Sequence, residues 1–240
     1  MKVFVISDLH LSTTTNKPME VFGDEWIGYV ETIKKDWLEK VHDNDLVLLS
    51  GDISWAMTID EAKEDYALLD SLPGIKVVGK GNHDFYWSSL NKMHAAFPNF
   101  NFLFNNAFRI GNVVICGTRG WNIPDEKNEE YEQDKKIYEH EILRFQFSLN
   151  EMKKLRQEGD TVICMFHFPP FDATYGDTEF TRLVKENNID MVVYGHLHGK
   201  NARVSPIVNK DDIPYYLTSA DLVNFKLTQL VWVFLHIWSC

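Results

Sequence analysis

Five short apolar runs recur along this chain, and each is followed by polar side chains that can bind a metal ion. Each run is continuous and rich in β-branched residues, which is typical of strands buried on both faces. Helical patterns separate several of the runs, so strand and helix alternate. This alternation predicts an α/β fold in which parallel strands are joined by helical crossovers. The runs, each with the residues after it, are KVFVIS with Asp8-Leu9-His10, DLVLLS with Gly51-Asp52, IKVVGK with Gly81-Asn82-His83-Asp84, TVICMF with His167, and IDMVVY with Gly195-His196-Leu197-His198.

Five helices are predicted from the spacing of apolar residues and from their end signals. They cover residues 25–41, 58–72, 88–97, 129–157 and 177–187. The helix over 58–72 opens with a capping-box pattern, in which Thr58 precedes Glu61 by three residues.

Two further regions predict additional strands. Residues 101–121 predict a hairpin that turns at Gly111-Asn112, and residues 203–234 predict three more strands. Both regions indicate a second, partly antiparallel sheet packed on the first. Because no linker, repeat or low-complexity tract interrupts the sequence, residues 1–240 are predicted to form a single domain.

The composition argues against several classes of protein. The formal net charge is −11 and no stripe of Lys and Arg offsets it, so stable nucleic-acid binding is not expected. Cys116, Cys164 and Cys240 have the spacing of neither a zinc site nor a redox pair, which favours buried thiols in a reducing cytosol. The sequence also lacks a signal-peptide pattern and an apolar stretch of the roughly 18 residues that a membrane span needs. We therefore expect a soluble, cytoplasmic protein without membrane contact.

The polar residues that follow the runs are placed for a shared site. Residues i and i+2 of an extended segment point the same way, so Asp8 can act with His10, and His196 with His198. Open α/β sheets bind their ligands at the carboxyl ends of the strands, where all five polar groups are expected. These residues, although distant in sequence, should converge on one rim.

Seven of these side chains offer donor atoms for a metal: Asp8, His10, Asp52, Asn82, His167, His196 and His198. Nitrogen and oxygen donors without a thiolate favour Mn, Fe, Zn, Ni or Co over Ca²⁺ or a sulfur cluster. Seven donors are too many for one tetrahedral ion, but they suit two divalent metal ions that share the Asp52 carboxylate. The adjacent His83 and Asp84 belong either to an ordinary turn or to the same site.

The order D-x-H, G-D, G-N-H-[DE], H and G-H-x-H, which runs from Asp8 to His198, resembles the pattern of the calcineurin-like metallophosphoesterase superfamily. The resemblance implies a four-layer α/β/β/α sandwich, with two mixed β-sheets flanked by helices. It implies a dimetal-dependent phosphohydrolase that cleaves phosphomonoesters or phosphodiesters through in-line attack by a metal-bound hydroxide. The expected substrate is a small phosphate ester, with nucleotides among the candidates.

The resemblance also implies a role for each residue of the pattern. One ion would be held by Asp8, His10 and His198, the other by Asn82, His167 and His196, with Asp52 bridging the two. His83 would protonate the leaving oxygen or clamp the phosphate. Asp84 would hydrogen-bond the His83 ring and fix its orientation.

Departures from the family pattern narrow the expectation. Protein serine/threonine phosphatases carry Asp-Arg-Gly soon after the Gly-Asp and end the third block in Glu. Here the corresponding sequences are GDISWAM and GNHD, which have neither feature. Trp55 stands where purple acid phosphatases have a metal-binding Tyr, so a coloured Fe(III) site is not expected. Small bacterial-type phosphohydrolases of unsettled substrate remain. The main alternative is a non-catalytic scaffold that binds partner proteins, but such relatives typically lack His83 or several ligands, and none is missing here.

Some residues near the pattern allow two interpretations. Arg119, in CGTRGW, either binds a substrate phosphate or is a surface residue in a turn. The loop 12–23 either overhangs the site or is a plain connection, which we favour. The charged segment 122–141 is either a lid or a solvated face.

Aromatic residues and the apolar tail are similarly open. Phe85, Tyr86, Trp87 and Trp121 either form a wall for the substrate or, for most of them, belong to the core, as aromatic residues favour burial. The tail 231–240 fits an inner strand, a dimer contact or a segment foreign to the natural chain.

Overall fold

The computed structural model describes residues 1–199 and 204–231, which form two sheets with helices on their outer faces. The elements in chain order are β1 Val3–Ile6, α1 Tyr29–Lys40, β2 Leu46–Leu49, α2 Ile59–Asp70, β3 Ile75–Gly79, α3 Leu90–Ala96, β4 Phe100–Leu103, β5 Phe108–Ile110, β6 Val113–Gly117, α4 Tyr131–Leu155, β7 Thr161–Met165, α5 Glu179–Glu186, β8 Met191–Tyr194, β9 Ile207–Lys210, β10 Ile213–Leu217 and β11 Thr228–Leu230.

Both sheets are mixed, with a parallel centre. In the first sheet the order is β11-β1-β2-β3-β4, where β1 to β4 are parallel and β11 is antiparallel to β1. In the second the order is β5-β6-β7-β8-β10-β9, where the inner four are parallel and the two edge strands are antiparallel. The β-branched runs fit the parallel positions because those strands are buried on both faces, as β1 and β8 are.

Three apolar clusters hold the layers together. The inner faces of the sheets meet in a cluster that includes Val5 and Leu48 of the first sheet and Ile163 of the second. Helices α1, α2 and α3 cover the outer face of the first sheet. Helices α4 and α5 cover the outer face of the second, and α4 does so with a stripe spaced three and four residues apart. The predicted α/β/β/α sandwich of two mixed β-sheets is therefore confirmed.

The five predicted runs are divided between the two sheets. Three of them form β1, β2 and β3, and two form β7 and β8. The carboxyl ends of both sets meet at one edge, where Ser7 pairs with Ser219 and the ring of His167 donates from Nδ1 to Ser50 O at 3.0 Å. One rim therefore gathers residues from both sheets.

The strands predicted outside the runs are present, but two of them join a different sheet than expected. The hairpin at Gly111-Asn112 is formed by β5 and β6, where Ile110 pairs with Val113. However, β4, at the start of that region, pairs with β3 in the first sheet. The last strand, β11, also returns to the first sheet beside β1.

The helices lie where the sequence predicts them, with shorter ends. Helix α1 begins at Tyr29 and not at residue 25, because Gly28 has a left-handed φ of 69° and separates it from a 3-10 turn over Asp24–Trp26. Helix α2 begins after Thr58, whose hydroxyl accepts from the backbone N–H of Glu61 as expected.

Some expectations are only partly covered by the described residues. Cys116 and Cys164 are buried free thiols, whereas Cys240 and the tail from residue 232 lie outside the described residues. None of the helices within 1–199 and 204–231 combines the length and the apolar character that crossing a bilayer requires. The single-domain interpretation of residues 1–240 stays a prediction.

Candidate metal centre

The loops after β1 and β2 run side by side and are joined by their backbones. The N–H of Asp8 donates to Gly51 O at 2.9 Å, and that of His10 donates to Asp52 O at 3.0 Å. Asp8, His10, Asp52 and also His196 adopt the left-handed region, with φ of 58°, 46°, 53° and 70°. Side chains with a Cβ rarely adopt this region, and such residues cluster at functional sites. Four of the seven predicted ligands therefore lie on sharply turned backbone.

Two glycines let the carboxylates approach the neighbouring loops. A Cβ on Gly81 would lie 2.0 Å from Asp52 Oδ1, and a Cβ on Gly195 would lie 2.3 Å from Asp8 Oδ2. Both distances are far inside van der Waals contact, so any larger residue would displace a carboxylate. The glycines of the G-N-H and G-H-x-H sequences are thus explained by close packing against the site.

One group of donor atoms combines β1 with β8. The Nε2 atom of His198 lies 3.2 Å from Asp8 Oδ1 and 3.4 Å from His10 Nε2. Atoms that bind one ion at about 2.0–2.2 Å lie roughly 3.0–3.5 Å apart, so this spacing suits a shared cation. Asp8, His10 and His198 therefore form the first candidate group.

A second group combines β3 with β7 and β8. The Oδ1 atom of Asn82 lies 2.7 Å from His167 Nε2 and 3.0 Å from His196 Nδ1. Between the groups, Asp52 Oδ2 lies 3.8 Å from His10 Nε2 and 3.4 Å from His167 Nε2. The structure therefore brings all seven predicted ligands together, with Asp52 between the two groups.

Hydrogen bonds behind two of the imidazoles decide which nitrogen faces the centre. The Nδ1–H of His167 donates to Ser50 O at 3.0 Å, and that of His198 donates to Asp221 Oδ1 at 2.9 Å. In the neutral ring each Nε2 then presents a lone pair to the centre, as a metal ligand must. Asp221, which also accepts from Gly199 N at 2.9 Å, was missed by the sequence analysis. It follows the carboxyl end of the parallel strand β10, so the strand-end rule could have found it.

The buried carboxylates of the site are negatively charged and need positive partners. Burial would raise the pKa of Asp8, but its hydrogen bond to His198 and the facing imidazoles outweigh burial and lower it well below its usual range. Burial would lower the pKa of His167, but the facing Asp52 raises it to about 9. The pKa of His198, again lowered by burial, is raised to about 10 by hydrogen bonds to Asp221 and Asp8. Buried carboxylates thus recruit protons that divalent ions could replace.

The pKa values of the other two histidines among the predicted ligands are lowered and not raised. Burial lowers the pKa of His10 and of His196 to about 4 in each case, against the pull of Asp8 and Asp52. Both rings are therefore neutral at physiological pH, which is the form that binds a metal. The donor set, two carboxylates, one amide and four imidazoles, fits borderline divalent ions.

His83 lies beside the donors without joining either group. Its ring centroid is 4.5 Å from Trp55 and 5.6 Å from His10, and its backbone N–H donates to Asp52 Oδ1 at 2.8 Å. Within the described residues its buried Nδ1 has no hydrogen-bond partner. Burial lowers the pKa of His83, although the negative charge of Asp52 opposes this shift.

Asp84 does not hydrogen-bond the His83 ring, so the expected orienting contact is wrong. Its buried carboxylate instead accepts from the backbone N–H groups of Asp52, Ile53 and Gly81 at 2.9, 2.8 and 2.7 Å. It also accepts from the hydroxyl of Tyr86 at 3.0 Å. The turn directs this side chain inward, where five donors need an acceptor, the fifth being the backbone N–H of Ser54 at 3.4 Å. Burial, reinforced by the charge of Asp52, raises the pKa of Asp84 to about 6.

A cavity of about 360 Å³ opens directly onto the donors, and its outer wall is largely apolar. Its wall residues outside the predicted pattern are Met19, Phe22, Glu25, Trp26, Trp55, Gly199 and Asp221. Because Met19 and Phe22 belong to the loop 12–23, this loop overhangs the site, and the preference for a plain connection is wrong. Short 3-10 turns leave no periodic signal, which is why the sequence does not reveal the wall.

None of the four predicted aromatic residues lines this cavity. Tyr86 is buried and bonded to Asp84, and Trp87 packs against the core of the first sheet, as expected for most of the four. Phe85 is exposed beside His83. Trp121 packs on Phe168 at 4.9 Å.

Arg119 does not line the cavity at the donors. Its guanidinium lies 3.3 Å from Glu141 and stacks over Trp121 at 4.6 Å, in a separate pocket. Its carbonyl accepts from the backbone N–H groups of His167 and Phe168 at 3.0 and 2.9 Å. Arg119 is therefore half-buried, and it is not placed to bind a phosphate at the donors. The segment 122–130 has no regular helix or strand, and its action as a lid stays a prediction.

The sequence matches the model of the family described as calcineurin-like phosphoesterase over residues 1–200. No curated protein sequence matches the chain significantly. Among solved structures, the protein TT1561 of Thermus thermophilus superposes with a TM-score of 0.61 at 13% identity, covering 95% of this chain and 97% of that chain. The phosphopantetheinyl hydrolase PptH from Mycobacterium tuberculosis gives a TM-score of 0.58 at 15% identity, covering 96% and 95%. At such identities these likenesses show a common fold.

Proposed function

This chain belongs to the calcineurin-like phosphoesterase family, and we propose that it hydrolyses small phosphate esters with two divalent metal ions. The observation that carries the proposal is the convergence of seven donor side chains from two sheets into two groups around Asp52. Ions bound there would supply a nucleophilic water and neutralise charge on the phosphoryl group. The donor set supports Mn, Fe, Zn, Ni or Co as the metal.

The residues divide between the two ions as their distances suggest. We assign Asp8, His10 and His198 to one ion and Asn82, His167 and His196 to the other. Asp52 lies between the two groups and is assigned to both. The backbone turns at Asp8 and Asp52 and the hydrogen bond behind the His198 ring hold these donors in place before any ion arrives.

His83 is the proposed acid for the leaving oxygen. It borders the cavity beside the donors but is bound to neither group, so its ring is free to carry a proton. With Nδ1 buried, Nε2 is the nitrogen left to face the cavity and hold that proton. Its lowered pKa makes His83 a stronger proton donor than an ordinary imidazole. Asp84 acts on it indirectly, by holding the loops that carry His83 and Asp52.

The cavity supports a substrate whose leaving group is apolar or flat. Trp26, Met19 and Phe22 line it next to the donors, and Phe22 is largely exposed, so contact with a ring would cover apolar surface now in water. A nucleoside has this character, which agrees with nucleotides as candidate substrates. Monoesters and diesters both fit this chemistry.

The proposal is tested by loading the protein with Mn²⁺ or Ni²⁺ and comparing an aryl phosphate with a bis-aryl phosphate, followed by a panel of nucleotides. We expect metal-dependent hydrolysis and two ions per chain by elemental analysis. His140→Ala removes an exposed histidine on α4 and should retain both the ions and the activity. If the loaded protein hydrolyses no ester and elemental analysis finds no bound metal, the enzyme proposal fails and a scaffold becomes the better explanation.

A further inference from the structure

A second polar pocket opens on the same rim as the candidate metal centre, near the carboxyl ends of β3, β4 and β6. It has a volume of about 70 Å³, and its charged residues are Lys80, Arg119, Arg144 and Glu141. Three cations and one carboxylate give an excess of two positive charges. This excess stands out in a chain whose formal net charge is −11.

The two guanidinium groups of the pocket are held in place before any ligand binds. Arg119 stacks over Trp121 at 4.6 Å, and Arg144 stacks over Phe104 at 4.5 Å. Both lie close to the buried carboxylate of Glu141. Its Oε1 atom is 3.3 Å from Arg119 Nη2 and 3.6 Å from Arg144 Nε. A planar guanidinium that is already fixed loses little freedom when it binds an oxyanion.

The single carboxylate does not satisfy the donors gathered around it. Glu141 also accepts from the hydroxyl of Thr118, so its oxygens are shared among three side chains. The Nε–H of Arg119 is buried without an acceptor within the described residues. Lys80 lines the pocket and has neither a hydrogen bond nor an ion pair in the described part of the chain. The pocket therefore has spare donors and spare positive charge, and both suit an anion.

We propose that this pocket binds a phosphate group, as an anion site separate from the metal centre. Two guanidinium forks and one ammonium match the several oxygens of a phosphate. The backbone links the two places, because Arg119 O accepts from His167 N at 3.0 Å and Lys80 lies two residues before Asn82. The group is either a second phosphate of the substrate or free inorganic phosphate. The site itself stands on the pocket; only its link to turnover rests on the proposed hydrolysis.

Equilibrium dialysis of the metal-loaded full chain against labelled inorganic phosphate, at constant ionic strength, tests the site. Wild type should bind one phosphate more than Arg144→Gln, whose affinity at this pocket should fall at least about tenfold on loss of a charged donor. The control Lys153→Gln removes the same charge from an exposed position of the same helix and should bind as wild type does. Equal phosphate binding by wild type and Arg144→Gln overturns the proposal.

Two further variants keep the test decisive. Lys80→Gln breaks no hydrogen bond or ion pair of the described residues, so this variant should fold normally. It should lose the same phosphate, and it serves as the test if Arg144→Gln proves unstable in a thermal scan. Arg144→Lys keeps the charge and loses the fork, and it should bind with intermediate affinity. Unchanged binding by a folded Lys80→Gln likewise overturns the proposal.

Kinetics then separate the two sources of phosphate. If the pocket holds a second phosphate of the substrate, Arg144→Gln should raise KM at least about tenfold for a nucleoside bisphosphate and leave KM for an aryl phosphate unchanged. If the pocket holds free phosphate, Arg144→Gln should leave both KM values unchanged. The difference in phosphate binding between wild type and Arg144→Gln should still be seen by dialysis. Because dialysis needs no turnover, an inactive wild type would refute the proposed function without affecting the result for this pocket.

Discussion

The two sheets build the candidate metal centre in different ways. The loops of the first sheet supply the oxygen donors Asp8, Asp52 and Asn82, together with the imidazole of His10. Those of the second sheet supply three imidazoles: His167, His196 and His198. The first set is joined by backbone hydrogen bonds and by the carboxylate of Asp84, which binds two loops at once. The second set includes rings held one at a time, by Ser50 O and by Asp221.

This difference teaches where a change should spread and where it should stay local. A frame of shared hydrogen bonds transmits the loss of one acceptor to every loop that it joins. A ring held by its own partner can be lost without disturbing the next ring. Four substitutions test this comparison, and the largest effect is expected where the two halves meet.

Asp52→Ala should abolish most activity, because the carboxylate of Asp52 faces a histidine from each sheet. We expect hydrolysis to fall more than about 10⁴-fold, as groups that act as a unit lose their effect together. Elemental analysis should find fewer than two ions per chain. Asp212→Ala, which removes an exposed carboxylate, is the control and should alter neither quantity. Two ions and normal turnover in Asp52→Ala would show that the halves do not meet at this residue.

His83→Ala tests a residue of the first sheet's loops that is proposed to act in the reaction but not in metal binding. Both ions should remain, while turnover of alkyl esters falls about 10³-fold for want of a proton donor, and that of aryl esters falls less. In wild type the alkyl rate should decline as pH rises through the pKa of His83, which burial lowers, and the variant should lack this limb. Wild-type hydrolysis of alkyl esters by His83→Ala would remove the acid from the mechanism.

Asp84→Ala should destabilise the frame of the first sheet. It leaves four backbone N–H groups, including that of Ser54, and the Tyr86 hydroxyl without their buried acceptor. The free energy of unfolding, from urea denaturation, should fall by at least about 3 kcal/mol, since each unsatisfied group costs about 1–3 kcal/mol. Asp84→Asn, which keeps one acceptor oxygen, should lose less. A change close to zero in Asp84→Ala would mean that the loops do not depend on this carboxylate.

Asp221→Asn should have the smallest effect, confined to one ring. The substitution weakens the acceptor behind His198 and should reduce the affinity for one ion about 10–100-fold, as is usual for residues that orient a metal ligand. Metal titration should leave the other ion unchanged, and urea denaturation of the metal-free protein should show wild-type stability, since lost metal affinity alone would lower the stability of the loaded form. Equal weakening of both ions would instead make the second half as interdependent as the first.

The sequence was informative where a pattern is local. Apolar runs followed by Asp, Asn or His predicted the parallel strands and the meeting of seven candidate donors at one rim, because side-chain direction and strand ends follow simple rules. Their role as metal ligands stays a prediction. It failed where a contact is distant. Nothing beside Asp84 reveals that its carboxylate belongs to the loop of Asp52, some thirty positions earlier. The edge strand β11 has three residues, too few to show to which sheet it returns.

The residues of this centre are far apart along the chain, and this separation links metal binding to the stability of the folded protein. Asp8 meets the backbone of His196 across 188 positions, so an unfolded chain offers no comparable cluster. A cation that binds the assembled form alone raises the free energy of unfolding, by about 2.7 kcal/mol at a free concentration one hundred times Kd. Scarcity of that cation would then shorten the survival of the molecule against proteases, and trace-element supply would govern its abundance as well as its rate.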